Sequence, residues 1–175
     1  MVKLSVLDQS PIREDGDARQ ALEETIALAQ AAERLGYTRY WLAEHHGTAG
    51  FAGSSPEIMV TRVAAATKHI RVGSGGVMLS HYSPLKVAEN FKLLENLYPG
   101  RIDLGIGRAP GSDGATAAAL AYGSEVGIEY FPTKIADMMA FLADEPPATK
   151  PFKDVRATPA VAEAPLASTV APLTW

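Results

Sequence analysis

Apolar and polar positions alternate along this chain in a repeated order: a short apolar run, a polar or glycine-rich stretch, then apolar residues at helical spacing. The first run is Leu4 to Leu7, closed by Asp8-Gln9-Ser10-Pro11. A run of that length bounded by turn residues predicts a buried strand. Tyr40-Trp41-Leu42-Ala43 predicts the second strand, running into Glu44-His45-His46. Ile70 to Leu79 predicts the third, with Gly73, Gly75 and Gly76 inside it, and Ile102 to Gly107 the fourth. Between the first two strands, Leu22, Ile26, Ala29, Ala32 and Leu35 recur at steps of four and three, the mark of one helix face. Asp17 is placed to cap that helix, with Gln20 three residues on, and Gly36 to stop it. Ser55-Pro56 opens a second helix to about Lys68 and Ser83-Pro84 a third, with Leu85, Ala88, Phe91, Leu94 and Leu97 inward. Pro99-Gly100 ends the third, and Pro132 to Leu142 predicts a fourth.

Strands alternating with helices make an α/β fold with a parallel sheet, about four strands and four helices. The strand ends fall near Asp8, Glu44, Met78 and Gly107, 36, 34 and 29 residues apart. After Asp144 the pattern lapses. Six of the 12 prolines lie between Pro146 and Pro172, among Ala, Thr and Val. The expected division is 1–144 as (β/α) units and 145–175 as an irregular tail or connection. The final residues, Ala171 to Trp175, look like the approach to another strand.

Composition narrows the chemistry. The net charge of -4 argues against a nucleic-acid partner, which asks for a basic excess. With no cysteine there is no disulfide, thiolate metal site or cysteine nucleophile. No apolar run reaches the roughly 18 residues of a membrane span. The Met1 to Asp8 segment has a strand pattern rather than that of a signal peptide, and a cytoplasmic protein is expected.

Parallel α/β proteins gather their functional groups at the carboxyl ends of the strands. There, Glu44-His45-His46 offers two imidazoles suited to acid–base work or substrate contact. Neighbouring strand residues point to opposite faces, so the two cannot converge without a bend, and no HxH or HExxH spacing accompanies them; a metal site is not expected. Structural polar packing is the plain alternative. Gly75 and Gly76 mark either a close approach by a flat ligand or a bulge with tight packing. Arg108, in Gly105-Ile106-Gly107-Arg108-Ala109-Pro110-Gly111, suits phosphate or an anionic ring, or an ordinary surface ion pair. Neither a P-loop nor a dinucleotide fingerprint is present.

Together these segments resemble the bacterial-luciferase-like flavin-dependent monooxygenases. The likeness runs through Leu4 to Pro11, Tyr40 to His46, Val72 to Leu79, His81 to Lys86 and Gly100 to Gly111, nearly continuous from residue 3 to about 120. It implies the first half of a (β/α)8 TIM barrel, a fold that runs to about 250 residues when complete. It implies reduced FMN as cofactor, or a deazaflavin in a sister branch, and oxygenation by O2 of a small organic substrate such as an aldehyde. By the resemblance His45 is catalytic, Gly75 and Gly76 flank a non-proline cis peptide behind the flavin ring, and Arg108 contacts the flavin phosphate. Helices two and three match a homodimer interface, and a flavin reductase is the expected supplier of reduced flavin. Half a barrel is expected to bind cofactor weakly or not at all. The competing reading is an inactive fold fragment or assembly module. A metal-dependent barrel hydrolase is a third, disfavoured by ligand spacing.

Overall fold

The computed structural model describes residues 2–109, 112–122, 129–161 and 171–172. Its strands are β1 (Ser5–Asp8), β2 (Arg39–Leu42), β3 (Arg71–Met78), β4 (Ile102–Gly107) and β5 (Ala171–Pro172). They form one parallel sheet in the order β1-β2-β3-β4-β5. The helices are α1 (Ala18–Arg34), α2 (Pro56–Ala66), α3 (Pro84–Leu97), α4 (Gly114–Ala121) and α5 (Phe131–Leu142). The parallel α/β architecture expected from the sequence is therefore present, with two additions. Helix α4 follows β4, capped by Asp113, whose Oδ1 accepts from the Ala115 and Thr116 amides. Its Ala-rich sequence has no polar face to reveal a helical period. Strand β5 supplies a short fifth strand where Ala171-Pro172 meets Gly105 and Ile106; the rest of the predicted approach, 173–175, lies outside the described residues.

The two faces of the sheet differ. Tyr40, Leu42, Val72, Ile102, Leu104 and Ile106 are buried beneath the helices. Leu7, Trp41, Gly73 and Asp103 lie in register on the other, concave face, where Leu7 stays 39% exposed. Helix α1 meets the sheet through Ala21, Thr25, Ala29 and Ala32, with Leu22 and Ile26 only partly covered and Leu35 exposed. The buried stripe is thus turned from the one the large apolar residues predict. Small side chains let the helix sit close enough for polar contacts: Ser10 Oγ and Thr25 Oγ1 are 2.8 Å apart, and the Tyr40 hydroxyl donates to Asp8 Oδ2 (2.6 Å) and the Thr25 carbonyl (3.1 Å).

Asp17 caps α1 through the Gln20 amide at 2.8 Å, while the Gln20 side chain turns to Glu24, so the reciprocal half of the box is not made. Ser55 and Ser83 make no side-chain cap; Pro56 and Pro84 take the first helical positions. The segment from 145 to 161 is irregular, as its prolines imply, apart from one 3-10 turn at Lys150–Phe152. It is nonetheless anchored. Ala157 is buried, Val155 and Val161 pack on the core, and Asn96 donates to the Ala160 carbonyl at 3.1 Å. The fully buried Lys92 ammonium donates to Asp144 and to the Phe141 and Ala157 carbonyls, joining α3, the end of α5 and this segment. Leu166 and Val170, apolar residues further along the same segment, lie outside the described residues.

Candidate active site

The carboxyl ends of β1 to β4 border an open cleft of about 750 Å³. His45, Gly75, Gly76 and Arg108 all line it, together with Leu7, Glu44, Met78 and Gly107. Residues from three segments far apart in sequence thus reach one cavity because parallel strands end side by side. A smaller hollow of about 420 Å³ lies at the opposite ends of the strands, with Lys3, Arg39, His69 and Arg71 in its wall. There Arg39 and Arg71 both donate to Asp103, so their charge is largely engaged.

The glycines of β3 answer first to packing. A Cβ on Gly76 would stand 2.8 Å from the Gly105 carbonyl, and one on Gly75 2.8 Å from Leu7 Cδ1 and 2.9 Å from Trp41 Cβ. The β3–β4 register shifts between Ser74 and Val77, leaving one extra residue on β3. The Gly75–Gly76 peptide is cis. The bulge alternative is therefore realised, and the same bulge forms the cleft wall. At Gly107 the nearest atom to an added Cβ is 3.9 Å away, so here the wall is bare backbone with room beside it.

His45 and His46 part company in the loop that follows the end of β2 at Leu42. His45 lines the cleft, its ring tilted 31° against Phe51 at a centroid distance of 4.6 Å. The loop carrying Phe51 is held by backbone bonds from the His45 amide to the Gly53 carbonyl and from the Ala52 amide to the Ser10 carbonyl, each 2.9 Å. His45 Nδ1 is buried and has no hydrogen-bond partner among the described residues. A buried polar atom of that kind asks for a partner. His46 instead meets Glu44 Oε1 at 2.8 Å.

Glu44 has no sequence signal of its own as a site residue, yet its buried carboxylate is the hub behind the cleft. Oε1 also accepts from the Tyr82 hydroxyl at 2.6 Å, and Oε2 from the Met78 amide at 2.9 Å. Burial, and then the bond to Glu44, pushes the Tyr82 phenol well above its usual range. Burial, reinforced by the Glu44 charge, raises the Glu57 carboxyl above the ordinary 4.5, against the pull of its own backbone amide. Arg108 is exposed at the rim, with no ion pair among the described residues; its carbonyl accepts from Ser80 Oγ at 3.2 Å. Pro110 and Gly111 of its motif lie outside the described residues. No group of three or more His, Asp or Glu among the described residues could hold a metal ion, and no described helix is long and apolar enough to cross a membrane.

A parallel barrel-type sheet with its cleft at the strand ends defines a class of α/β enzyme folds. The sequence pattern of the luciferase-like monooxygenases matches residues 2–122, and the chain belongs to that family. It is 52% identical to the uncharacterised protein YwcH of Bacillus subtilis over 94% of this chain and 50% of that protein. It is 46% identical to N-acetyl-S-alkylcysteine monooxygenase of the same organism, over 94% and 49%. The chain spans about half the length of these curated relatives. The crystal structure of apo-MsnO8 superposes with a TM-score of 0.84 at 45% identity, covering 94% of this chain and 48% of that one. Two solved structures speak for the fold alone. One is the oxygenating constituent of 3,6-diketocamphane monooxygenase from Pseudomonas putida with FMN (TM-score 0.75, 20% identity, 97% and 51% covered). The other is an F420-dependent secondary alcohol dehydrogenase with an F420–acetone adduct (0.59, 19%, 91% and 50%).

Proposed function

We propose that this chain provides the cofactor-facing wall of a flavin-dependent monooxygenase acting on a small organic substrate. The observation that carries the reading is the meeting of His45, Gly75, Gly76 and Arg108 in one cleft. The residues fit a flavin. The bare backbone at Gly107 leaves room for a flat ring, His45 Nδ1 lacks a partner, and the Arg108 guanidinium stands unpaired among the described residues for a phosphate. Reduced FMN, when bound, supplies the two electrons with which O2 is split, one oxygen atom entering the substrate and the other leaving as water. With the cofactor bound, His45 would hold or deliver a proton from the wall of the cleft. Phe51 keeps its imidazole in place, and Leu7 and Met78 make the neighbouring wall apolar. Reduced FMN would come from a flavin reductase.

The apolar side chains of Ile58, Leu93 and Leu97, all exposed on α2 and α3, support a homodimer through those helices. The test of the cofactor reading is fluorescence titration of FMN. An open cleft encloses little of a ligand, so binding by this chain is expected to be weak, in the micromolar range or beyond. Arg108→Ala should weaken it a further several-fold. Affinity below micromolar would contradict the enclosure argument, and an unchanged affinity in Arg108→Ala would remove the phosphate role. Tighter binding of a deazaflavin than of FMN would reassign the cofactor.

A further inference from the structure

Behind the cleft wall lies a polar assembly that the chemistry above does not use. The Glu44 carboxylate is 3% exposed and divides its two oxygens between two tasks. Oε1 is held from one side by the Tyr82 hydroxyl at 2.6 Å and His46 Nε2 at 2.8 Å, with those two groups 3.3 Å from each other. Oε2 takes the backbone amide of Met78 at 2.9 Å. Met78 is the last residue of β3, two beyond the Gly75–Gly76 bulge, and it lines the cleft. Beyond the bulge β3 pairs with β4 through Val77 and Met78, while its pairing with β2 stops at Leu42 and Ser74, so on the β2 side the Glu44 carboxylate takes the place of a strand partner.

We propose that Glu44 is a positioning residue for the flavin cleft: His46 and Tyr82 orient its carboxylate, which holds the Met78 amide and fixes the cleft wall at Gly75–Gly76. The proposal rests on the reading of this cleft as a flavin site. It explains why the two histidines differ: His45 faces the cleft, and His46 serves the carboxylate two residues before it. It also explains the burial of a carboxyl group, since two side-chain partners and a backbone amide satisfy both oxygens. Lys134 steadies the assembly from α5, its ammonium donating to the carbonyls of Leu79 (3.3 Å), Ser80 (2.7 Å) and Tyr82 (3.1 Å) around the turn that carries Tyr82.

The geometry separates two variants. Glu44→Gln keeps the shape but replaces a charged acceptor by a neutral amide with one acceptor oxygen, so the bond at the Met78 amide is weakened or lost whichever way the side chain turns. Tyr82→Phe removes one donor to Oε1 and leaves the Met78 bond. The experiment is an amide proton–nitrogen spectrum of the 175-residue chain, free and titrated with FMN. In the free chain, Glu44→Gln should move the Met78 amide upfield and carry Gly75 and Gly76 with it, while Tyr82→Phe moves them in the same direction by less. Both variants should weaken the FMN-dependent shifts at Gly75 and Gly76, Glu44→Gln by several-fold. Unmoved Met78, Gly75 and Gly76 amides in a folded Glu44→Gln chain would overturn the proposal. If Glu44→Gln does not fold, Tyr82→Phe decides: an unmoved Met78 amide there overturns it. Absence of FMN-dependent shifts in the unaltered chain would defeat the flavin reading instead, and the free-chain spectra would still decide whether Glu44 sets this wall.

Discussion

Glycine at 76 and glycine at 107 stand on neighbouring strands, yet they are held there for different reasons. The Gly105 carbonyl, 2.8 Å from where a Cβ would be, leaves no space at Gly76, whereas Gly107 opens on the cleft. Gly76→Ala should therefore cost about 1–3 kcal/mol in urea unfolding through overpacking. Gly107→Ala should stay within about 0.5 kcal/mol of the parent and show its effect in weaker FMN binding. His45 is partly exposed and pairs with no buried charge. His45→Ala should leave the melting temperature nearly unchanged and, if the imidazole does acid–base work, lower substrate-dependent oxygen uptake by about 100-fold or more. Equal losses of stability and activity would instead make it a packing residue. The residues themselves put His45 near a strand end but do not choose it over His46; that choice depends on how the loop past Leu42 folds back, with the His45 amide on the Gly53 carbonyl. Glu44 was visible only as part of a motif, because nothing local shows that Met78 and Tyr82, 34 and 38 positions away, would close on it.

At the scale of elements, the junctions between units carry the informative charges. Glu33, at the end of α1, accepts the amides of Lys68, His69 and Ile70 at 2.8, 2.6 and 3.0 Å, and so caps the turn leading into β3. Burial alone would raise its carboxyl, but those three bonds and the nearby His69 hold it below 4.5. A folded-state value below the unfolded one gives stability that is present above pH 4.5 and lost as the pH falls through the folded value. Glu33→Gln should thus cost roughly 1–2 kcal/mol near neutrality, and the gap to the parent should close on acidification. A gap that is constant with pH would show that charge plays no part. The Lys92–Asp144 pair makes the opposite kind of junction, with the ammonium fully buried and the carboxylate 48% exposed. Asp144→Asn leaves the buried charge poorly paired and should cost about 2 kcal/mol, more than Lys92→Met, which removes the charge altogether. Strands and most helix limits were legible from periodicity and from Gly36, Pro56, Pro84 and Gly100. Helix α4 was not, since eight residues dominated by alanine carry no amphipathic period. The buried face of α1 differs from the one its large apolar residues predict because close contact with the sheet selects Ala and Thr over Leu.

The whole molecule is a sheet covered by helices on one side, with a concave face toward the cleft and little over it among the described residues. Leu7 is 39% exposed there, and Trp41 is half-buried. On the helical side the exposed Ile58, Leu93 and Leu97 form an apolar strip between α2 and α3. If that strip joins two copies, Leu93→Glu should convert a dimer to monomer in light scattering at tens of micromolar. A parent chain that is already monomeric at that concentration would contradict the dimer. The central claim concerns the cleft, and the most direct measurement is where FMN touches the chain. Amide shifts mapped during FMN titration should cluster at His45, Gly75, Gly76, Met78, Gly107 and Arg108. Shifts centred instead on Lys3, Arg39, His69 and Arg71 at the opposite end of the strands, or no shifts at millimolar FMN, would contradict the account.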